Sequence, residues 1–214
     1  MLNIALPKGR LAKTIYPLLS AVGYSCPLME EDNRLLMLEN PEKGVRYLLT
    51  KPSDVAVYVE HGAADLGVVG KDVLEEGQNK VFELLDLDLG KCRMSVCVPD
   101  GYQEDPEKVL RVATKYPNIT RGFYAAKNRQ IELIVLHGSI ELAPLSGLSD
   151  VIVDLVETGG TLRENHLHVE EVVLPVSARL IANKSSYRFQ REEIERIKEA
   201  LRPKREEETV LSGR

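Results

Sequence analysis

Val151-Ile152-Val153-Asp154-Leu155-Val156-Glu157-Thr158-Gly159-Gly160-Thr161-Leu162 is the stretch from which the rest of the chain is read. It opens on three β-branched apolar residues, the composition of a strand buried on both faces. Asp154 stands where that strand should end, and Leu155 and Val156 keep the chain packed. Gly159 and Gly160 then remove two side chains in succession, with Thr158 and Thr161 placing a hydroxyl on either side. A helix is expected from Leu162-Arg163-Glu164-Asn165, with either threonine able to cap it. Strand, glycine–threonine turn and helix start make an anion site, because amides at a helix N-terminus point toward bound phosphate. The dipole of such a helix contributes roughly 0.3–1 kcal/mol at an exposed site. Each charge-assisted hydrogen bond contributes about 1.5–3 kcal/mol, so converging amides and hydroxyls dominate. Gly-Gly by itself would equally suit an ordinary turn. The buried strand, Asp154, Glu157 and the two threonines favour phosphate.

Upstream, residues 2–6 read as a short strand followed at once by Pro7-Lys8-Gly9-Arg10. Residues 11–22 have helical apolar spacing through Leu11, Ile15, Leu18, Leu19 and Val22 and stop at Gly23. Lys8, Gly9 and Arg10 thus lie between a strand's end and a helix's start, where open α/β sheets bind ligands. Without that context, Lys-Gly-Arg would read as a solvated basic turn. Strands are expected over 34–38, 45–50, 64–70, 81–89, 92–98, 110–113, 131–136 and 151–154, with 169–183 strand-rich. Helices are expected after Pro52, over 71–77, over 115–127 and over 191–201. Gly67 and Gly70 bracket Val68-Val69, and glycine within a strand often marks close approach of a ligand or another backbone. Asp72 suits either a helix cap or a ligand hydroxyl.

Alternating strands and helices predict α/β architecture with largely parallel sheets. Extended runs near Gly90 and over 172–180 predict two crossings between two lobes separated by a cleft. The expected division is 1–90 with 176–201 as a discontinuous first lobe, and 91–175 as a second lobe carrying the phosphate turn. Residues 202–214 are charged and poor in core residues, the composition of a flexible tail.

The whole chain bounds these readings. Its 214 residues suffice for a real core, and 43% hydrophobic and 29% charged residues are ordinary for a globular protein. A net charge of -5 argues against a bulk nucleic-acid binder, so phosphate affinity must be local. Cys26, Cys92 and Cys97 are odd in number and lack Cys-x-x-Cys spacing, which fits a reducing cytoplasm better than a disulfide framework or a zinc knuckle. The first residues lack the basic and apolar regions of a signal peptide. No uninterrupted apolar run reaches the roughly 20 residues of a membrane helix. A cytoplasmic protein with neither nucleic-acid nor membrane partner is expected.

Four segments in order carry a family resemblance: Lys8-Gly9-Arg10; Asp65-x-Gly67-x-x-Gly70-Lys71-Asp72; Gly138-Ser139-Ile140-Glu141-Leu142-Ala143-Pro144; and Asp154-x-x-Glu157-Thr158-Gly159-Gly160-Thr161-Leu162. Together they resemble the short form of ATP phosphoribosyltransferase, the first enzyme of histidine biosynthesis, over residues from about 2 to about 201. The resemblance implies a two-lobed, periplasmic-binding-protein-like fold. ATP and phosphoribosyl pyrophosphate (PRPP) meet in the cleft, Mg²⁺ accompanies the pyrophosphate without a dedicated protein site, and phosphoribosyl-ATP leaves with diphosphate. It implies PRPP binding by Asp154, Glu157, Thr158, Gly159, Gly160, Thr161 and Leu162. Gly9, Asp65, Gly67, Gly70, Lys71 and Asp72 match the nucleotide and pyrophosphate region, with Lys8, Arg10 and Glu141 as catalytic candidates. Long forms carry a C-terminal histidine-binding domain. The short form works with a histidyl-tRNA-synthetase-like regulatory subunit in a hetero-oligomer, and the isolated chain is expected to escape histidine inhibition. A homodimer or a higher hetero-oligomer is expected.

Two positions depart from the family pattern. Gly160 stands where many members carry arginine, leaving the 5′-phosphate to backbone amides, and His166 stands where glycine is frequent. His166 and His168 lack the spacing of a helical metal pair and read as surface residues. Two rivals stand beside the transferase. A nucleobase-salvage phosphoribosyltransferase would share the 152–161 pattern but not the Lys8–Arg10 or Gly138–Pro144 segments. A non-catalytic two-lobed ligand-binding module would share the architecture.

Overall fold

In the computed structural model, which describes residues 1–203, the period of two in the first strand sorts side chains onto two faces. Strand β1 (Leu2–Pro7) sends Leu2, Ile4 and Leu6 into one core and Ala5 into another. Helix α1 (Arg10–Ala21) buries Ala12, Ile15, Tyr16 and Leu19, a single helical stripe, against the first of these. It stops where Gly23, at φ 104°, lets the Gly23 and Tyr24 amides turn back to the Ser20 and Leu19 carbonyls. The chain continues through β2 (Met37–Asn40), β3 (Val45–Thr50), α2 (Val55–Glu60), β4 (Leu66–Gly70), α3 (Lys71–Gly77) and β5 (Phe82–Asp86). A second run follows: β6 (Cys92–Pro99), β7 (Leu110–Thr114), α4 (Pro117–Ala126), β8 (Ile131–Val135), α5 (Leu142–Leu145), β9 (Val151–Val156), α6 (Gly160–Glu164) and β10 (Leu167–Val176). The chain returns as β11 (Ala178–Ala182), α7 (Lys184–Phe189) and α8 (Arg191–Ala200).

Two sheets result, ordered β2-β3-β1-β4-β11-β5 and β10-β6-β9-β7-β8. The expected two-lobed α/β fold is borne out, but the sheets are mixed rather than largely parallel. β1 is parallel to β3 and β4, and β7 to β8 and β9. The remaining pairings are antiparallel. Each crossing delivers a strand, β6 or β11, that runs against its neighbours. The links lie side by side: the Leu87 amide donates to the Ala178 carbonyl, the Ala178 amide to the Leu89 carbonyl, and Ser177 Oγ to Asp86 Oδ1 at 2.8 Å.

In the second sheet β9 repeats the alternation of β1. Val151 and Val153 join Met94, Val96, Val112, Ile119 and Tyr124 on one face, while Ile152 and Val156 join Cys97, Ala113, Ile140 and Leu162 on the other. The strand expected over 34–38 lies instead at Met37–Asn40, and the 169–183 run is two strands broken at Ser177. Helices α5 and α7 were not expected. The expected tail over 202–214 falls, from residue 204 on, outside the described residues.

Candidate active site

The chain leaves β9 through Gly159, whose φ of 74° is left-handed, and α6 starts at Gly160, two residues before the expected start. Neither threonine caps it by a side-chain hydrogen bond. The Arg163 amide makes the first intrahelical bond, to the Gly159 carbonyl. The Gly160, Thr161 and Leu162 amides precede it in a turn whose N–H groups have no intrahelical acceptor. Glu141, Asp154 and residues 155–162 line a hollow of about 260 Å³ at this turn. The Leu162 side chain is buried against the core, so only its backbone can serve a ligand. At Gly160 a Cβ would come no nearer than 3.7 Å to Thr158 Oγ1, so a side chain has room there. Arg163 brings the cation that Gly160 lacks: its Nη1 donates to the Thr158 carbonyl at 3.1 Å. His166 has φ 53°, the left-handed region that favours glycine.

Asp154 lies half-buried at the floor. Burial pushes its carboxyl above the ordinary range, the Leu155 amide opposes that at 2.8 Å, Glu141 adds to it and Lys115 counters it. Ser95 of β6 pairs in register with Asp154, and among the described residues its buried hydroxyl has no hydrogen-bond partner.

Across the cleft, Lys8, Gly9 and Arg10 follow the C-terminal end of β1. Gly9 has φ 106°, a conformation that an L side chain resists. Lys8 and Gly9 border a hollow of about 460 Å³ that also takes Lys13, Asn33 and Arg34 at its polar rim, over apolar Leu38 and Leu49. Arg10 reaches to the other sheet, and its Nη2 donates to both Glu157 oxygens at 2.9 Å. The pair is exposed, 78% for Arg10 and 53% for Glu157, and Glu157 raises the Arg10 pKa further. It links the residue after Gly9 to Glu157 in the wall of the hollow at the turn. A larger hollow of about 690 Å³ beside Arg188, Phe189, Arg191 and Arg196 contains none of the sequence motifs.

The Asp65–Asp72 segment divides. Asp65 is buried and accepts from the Asn3 amide, Asn3 Nδ2, Ser186 Oγ and Gln190 Nε2, so its carboxylate ties α7 to β1 rather than facing a ligand. A Cβ on Gly67 would stand 2.8 Å from Val59 Cγ2 and 3.0 Å from Val55 Cγ1. That glycine admits α2 against the sheet, which corrects its ligand assignment. Lys71 turns away from the cleft to Glu75 and Glu83, each at 2.8 Å. Gly70 precedes α3 in extended conformation, and a Cβ there would collide with Asp72 Oδ1. Asp72 stays at the lobe junction: it is buried, its carboxyl is pushed up by desolvation, and it faces the Tyr116 hydroxyl. Cys92 shares this floor, with Asp72, Glu157 and Arg10 all acting on its thiol, whose pKa burial raises.

Tyr116, Lys115, Lys13, Arg34, Arg163 and Ser95 are not among the site residues expected from the sequence. Lys13 follows Arg10 by three residues on α1 and was in principle findable. Arg163 likewise follows the glycine–threonine turn directly, and the others meet the site only through tertiary folding. Glu141, Asp154 and Glu157 offer oxygen donors suited to a hard cation. Among the described residues no group of three His, Cys, Asp or Glu side chains could hold a metal ion. That donor set fits a cation carried mainly by substrate phosphates.

Comparison with known proteins supplies what geometry alone does not. The family model described as HisG: ATP phosphoribosyltransferase matches residues 51–203. An ATP phosphoribosyltransferase of Brachyspira hyodysenteriae is 56% identical over 92% of this chain and 96% of its own length. One from Lachnospira eligens is 49% identical over 92% and 93%. The solved ATP phosphoribosyl transferase (HisG:HisZ) complex from Thermotoga maritima contains a chain 35% identical, with TM-score 0.81 over 94% of this chain and 98% of that one. The Escherichia coli periplasmic aliphatic sulphonate binding protein SsuA, 14% identical with TM-score 0.55 over 94% of this chain and 72% of its own, shares the fold alone.

Proposed function

The chain belongs to the ATP phosphoribosyltransferase family, and from that membership we infer how its cleft is used. It transfers the 5-phosphoribosyl group of PRPP to ATP, giving phosphoribosyl-ATP and diphosphate in the first step of histidine biosynthesis. It works with a HisZ-like regulatory subunit that resembles histidyl-tRNA synthetase. One observation carries the assignment of the cleft: Arg10, the residue after the Lys8 and Gly9 that border one hollow, pairs with Glu157, which lines the hollow at the glycine–threonine turn.

An adenine ring nitrogen attacks the anomeric carbon as the bond to diphosphate breaks, and positive charge develops on the ribose. Such a step depends on positioning two anionic substrates and neutralising the leaving group more than on a strong base. The Gly160, Thr161 and Leu162 amides with the Thr158 and Thr161 hydroxyls hold the 5′-phosphate. Asp154 and Glu157 take ribose hydroxyls. Lys8 and Arg10 neutralise diphosphate, and binding it draws Arg10 away from Glu157. Gly9, Gly70 and Asp72 border the nucleotide and pyrophosphate region, and Glu141 forms the wall opposite the turn. Mg²⁺ bound with the pyrophosphate would supply further charge neutralisation there, with Asp154 and Glu157 as the nearby oxygen donors. Residues 1–90 with 176–201 form one lobe and 91–175 the other; the two sheets support this division to within one residue, since Val176 is the last residue of β10. The three cysteines among the described residues are free, which suits a reducing cytoplasm. No helix among the described residues is long and apolar enough to cross a membrane.

The test is diphosphate release from PRPP and Mg²⁺ by the purified chain, with and without ATP, alone and with a HisZ-like subunit. ATP-dependent release is expected in at least one condition. Release with free purines instead of ATP would assign nucleobase salvage. PRPP binding without release in any condition would leave a binding module.

A further inference from the structure

Helix α4 carries no cap of its own. Tyr116 precedes it without a side-chain hydrogen bond to its first turn, Pro117 opens it, and that turn holds no acidic residue. The missing acceptor arrives from the other sheet. Glu76 of α3 takes the Asn118 amide on both carboxylate oxygens at 3.0 Å and the Ile119 amide on Oε2 at 3.0 Å. Asn118 Nδ2 returns a bond to the Glu76 carbonyl at 2.9 Å. These amides are the second and third of the helix, the pair that an N-cap side chain serves, and a carboxylate there also meets the positive end of the helix dipole.

The same two helices meet at the cleft floor, where Asp72 of α3 faces the Tyr116 hydroxyl and Lys115 acts on both Asp72 and Asp154. The turn between β7 and α4 is tied in turn to β9: the Tyr116 amide donates to Thr114 Oγ1 at 2.9 Å, and Thr114 Oγ1 to the Val153 carbonyl at 2.7 Å. Glu76 therefore holds the outer end of a turn whose inner end reaches the residue preceding Asp154.

We propose that Glu76 is a positioning residue for phosphoribosyl transfer, which caps α4 across the lobe boundary and so fixes Tyr116 and Lys115 over the cleft floor. The proposal rests on the transferase reading. Glu76 makes no hydrogen bond to the turn at Gly159 and Gly160, so its loss should act on turnover more than on PRPP binding.

The experiment combines amide hydrogen exchange on the substrate-free full chain with steady-state kinetics. Glu76→Ala is expected to speed exchange at Asn118 and Ile119 about tenfold or more, and to lower kcat about tenfold while KM for PRPP stays within about twofold. Glu76→Gln keeps an acceptor and restores most of both. Asn118→Asp keeps a favourable charge at the helix start while repelling Glu76. It reproduces the kinetic loss with the helix intact, and it decides the matter if Glu76→Ala does not fold. Faster exchange with unchanged kcat would reduce Glu76 to a structural cap and overturn the proposal, as would unchanged exchange. A wild-type chain that releases no diphosphate under any condition counts instead against the transferase reading.

Discussion

Asp154 shows how a single position sets stability against chemistry. Burial raises its carboxyl above the ordinary 3.8, so folding penalises its ionised form. The sign follows: its contribution to stability is fully present below 3.8 and is lost as pH rises through the raised folded value. Asp154→Asn should therefore melt higher than the parent near neutral pH, with the difference vanishing in acid. Ionised Asp154 is also the form that accepts ribose hydroxyls. The same substitution should lower kcat/KM for PRPP and remove the acid limb of its pH profile. Melting curves and pH–rate profiles on the pair check both, and an unchanged kcat/KM would remove Asp154 from the ribose site. The residue's place on β9 is legible in the sequence, although the strand runs on to Val156 and does not end at Asp154 as expected. Its opposition to Lys115 and its pairing with Ser95 are not, because both neighbours come from other strands or their ends.

Elements were legible in proportion to their length and period. β1 is a short apolar run leading straight into the stripe that α1 repeats over three turns, and β9 opens on a β-branched run buried on both faces, so the sequence places all three. Helices α5 and α7 have four and six residues, too few to show a helical period. Crossings between lobes were legible as extended runs, but the antiparallel direction of β6 and β11 was not, because direction is a property of pairing. The cap on α4 joins residues 42 apart and leaves no local trace. At α6 the sequence suggested a turn relying on amides, with arginine missing at Gly160. Folding places Arg163, one helical turn on, against the Thr158 carbonyl. Arg163→Ala should raise KM for PRPP about three- to tenfold, the size of a charge-assisted bond discounted for solvent screening, with a smaller effect on kcat. Arg163→Lys should recover part of it. Initial-rate kinetics with PRPP varied would show this, and an unchanged KM would leave the 5′-phosphate to the amides.

At the scale of the molecule, the chain matches 98% of a chain in a solved HisG:HisZ complex. Histidine sensitivity should accordingly require the partner. Calorimetry should find no tight histidine site on the isolated chain, and inhibition should appear on adding the HisZ-like subunit. Tight binding by the chain alone would overturn this. The sheet order has a consequence for biosynthesis as well. β11 lies between β4 and β5, and β5 pairs with no strand before β11 in the chain. During translation the second sheet can close from one contiguous segment while the first stays open at β4, its later-made neighbour not yet synthesised. A ribosome stalled before residue 178 would therefore display two unpaired strand edges, the kind of surface that chaperones bind and nascent chains aggregate through.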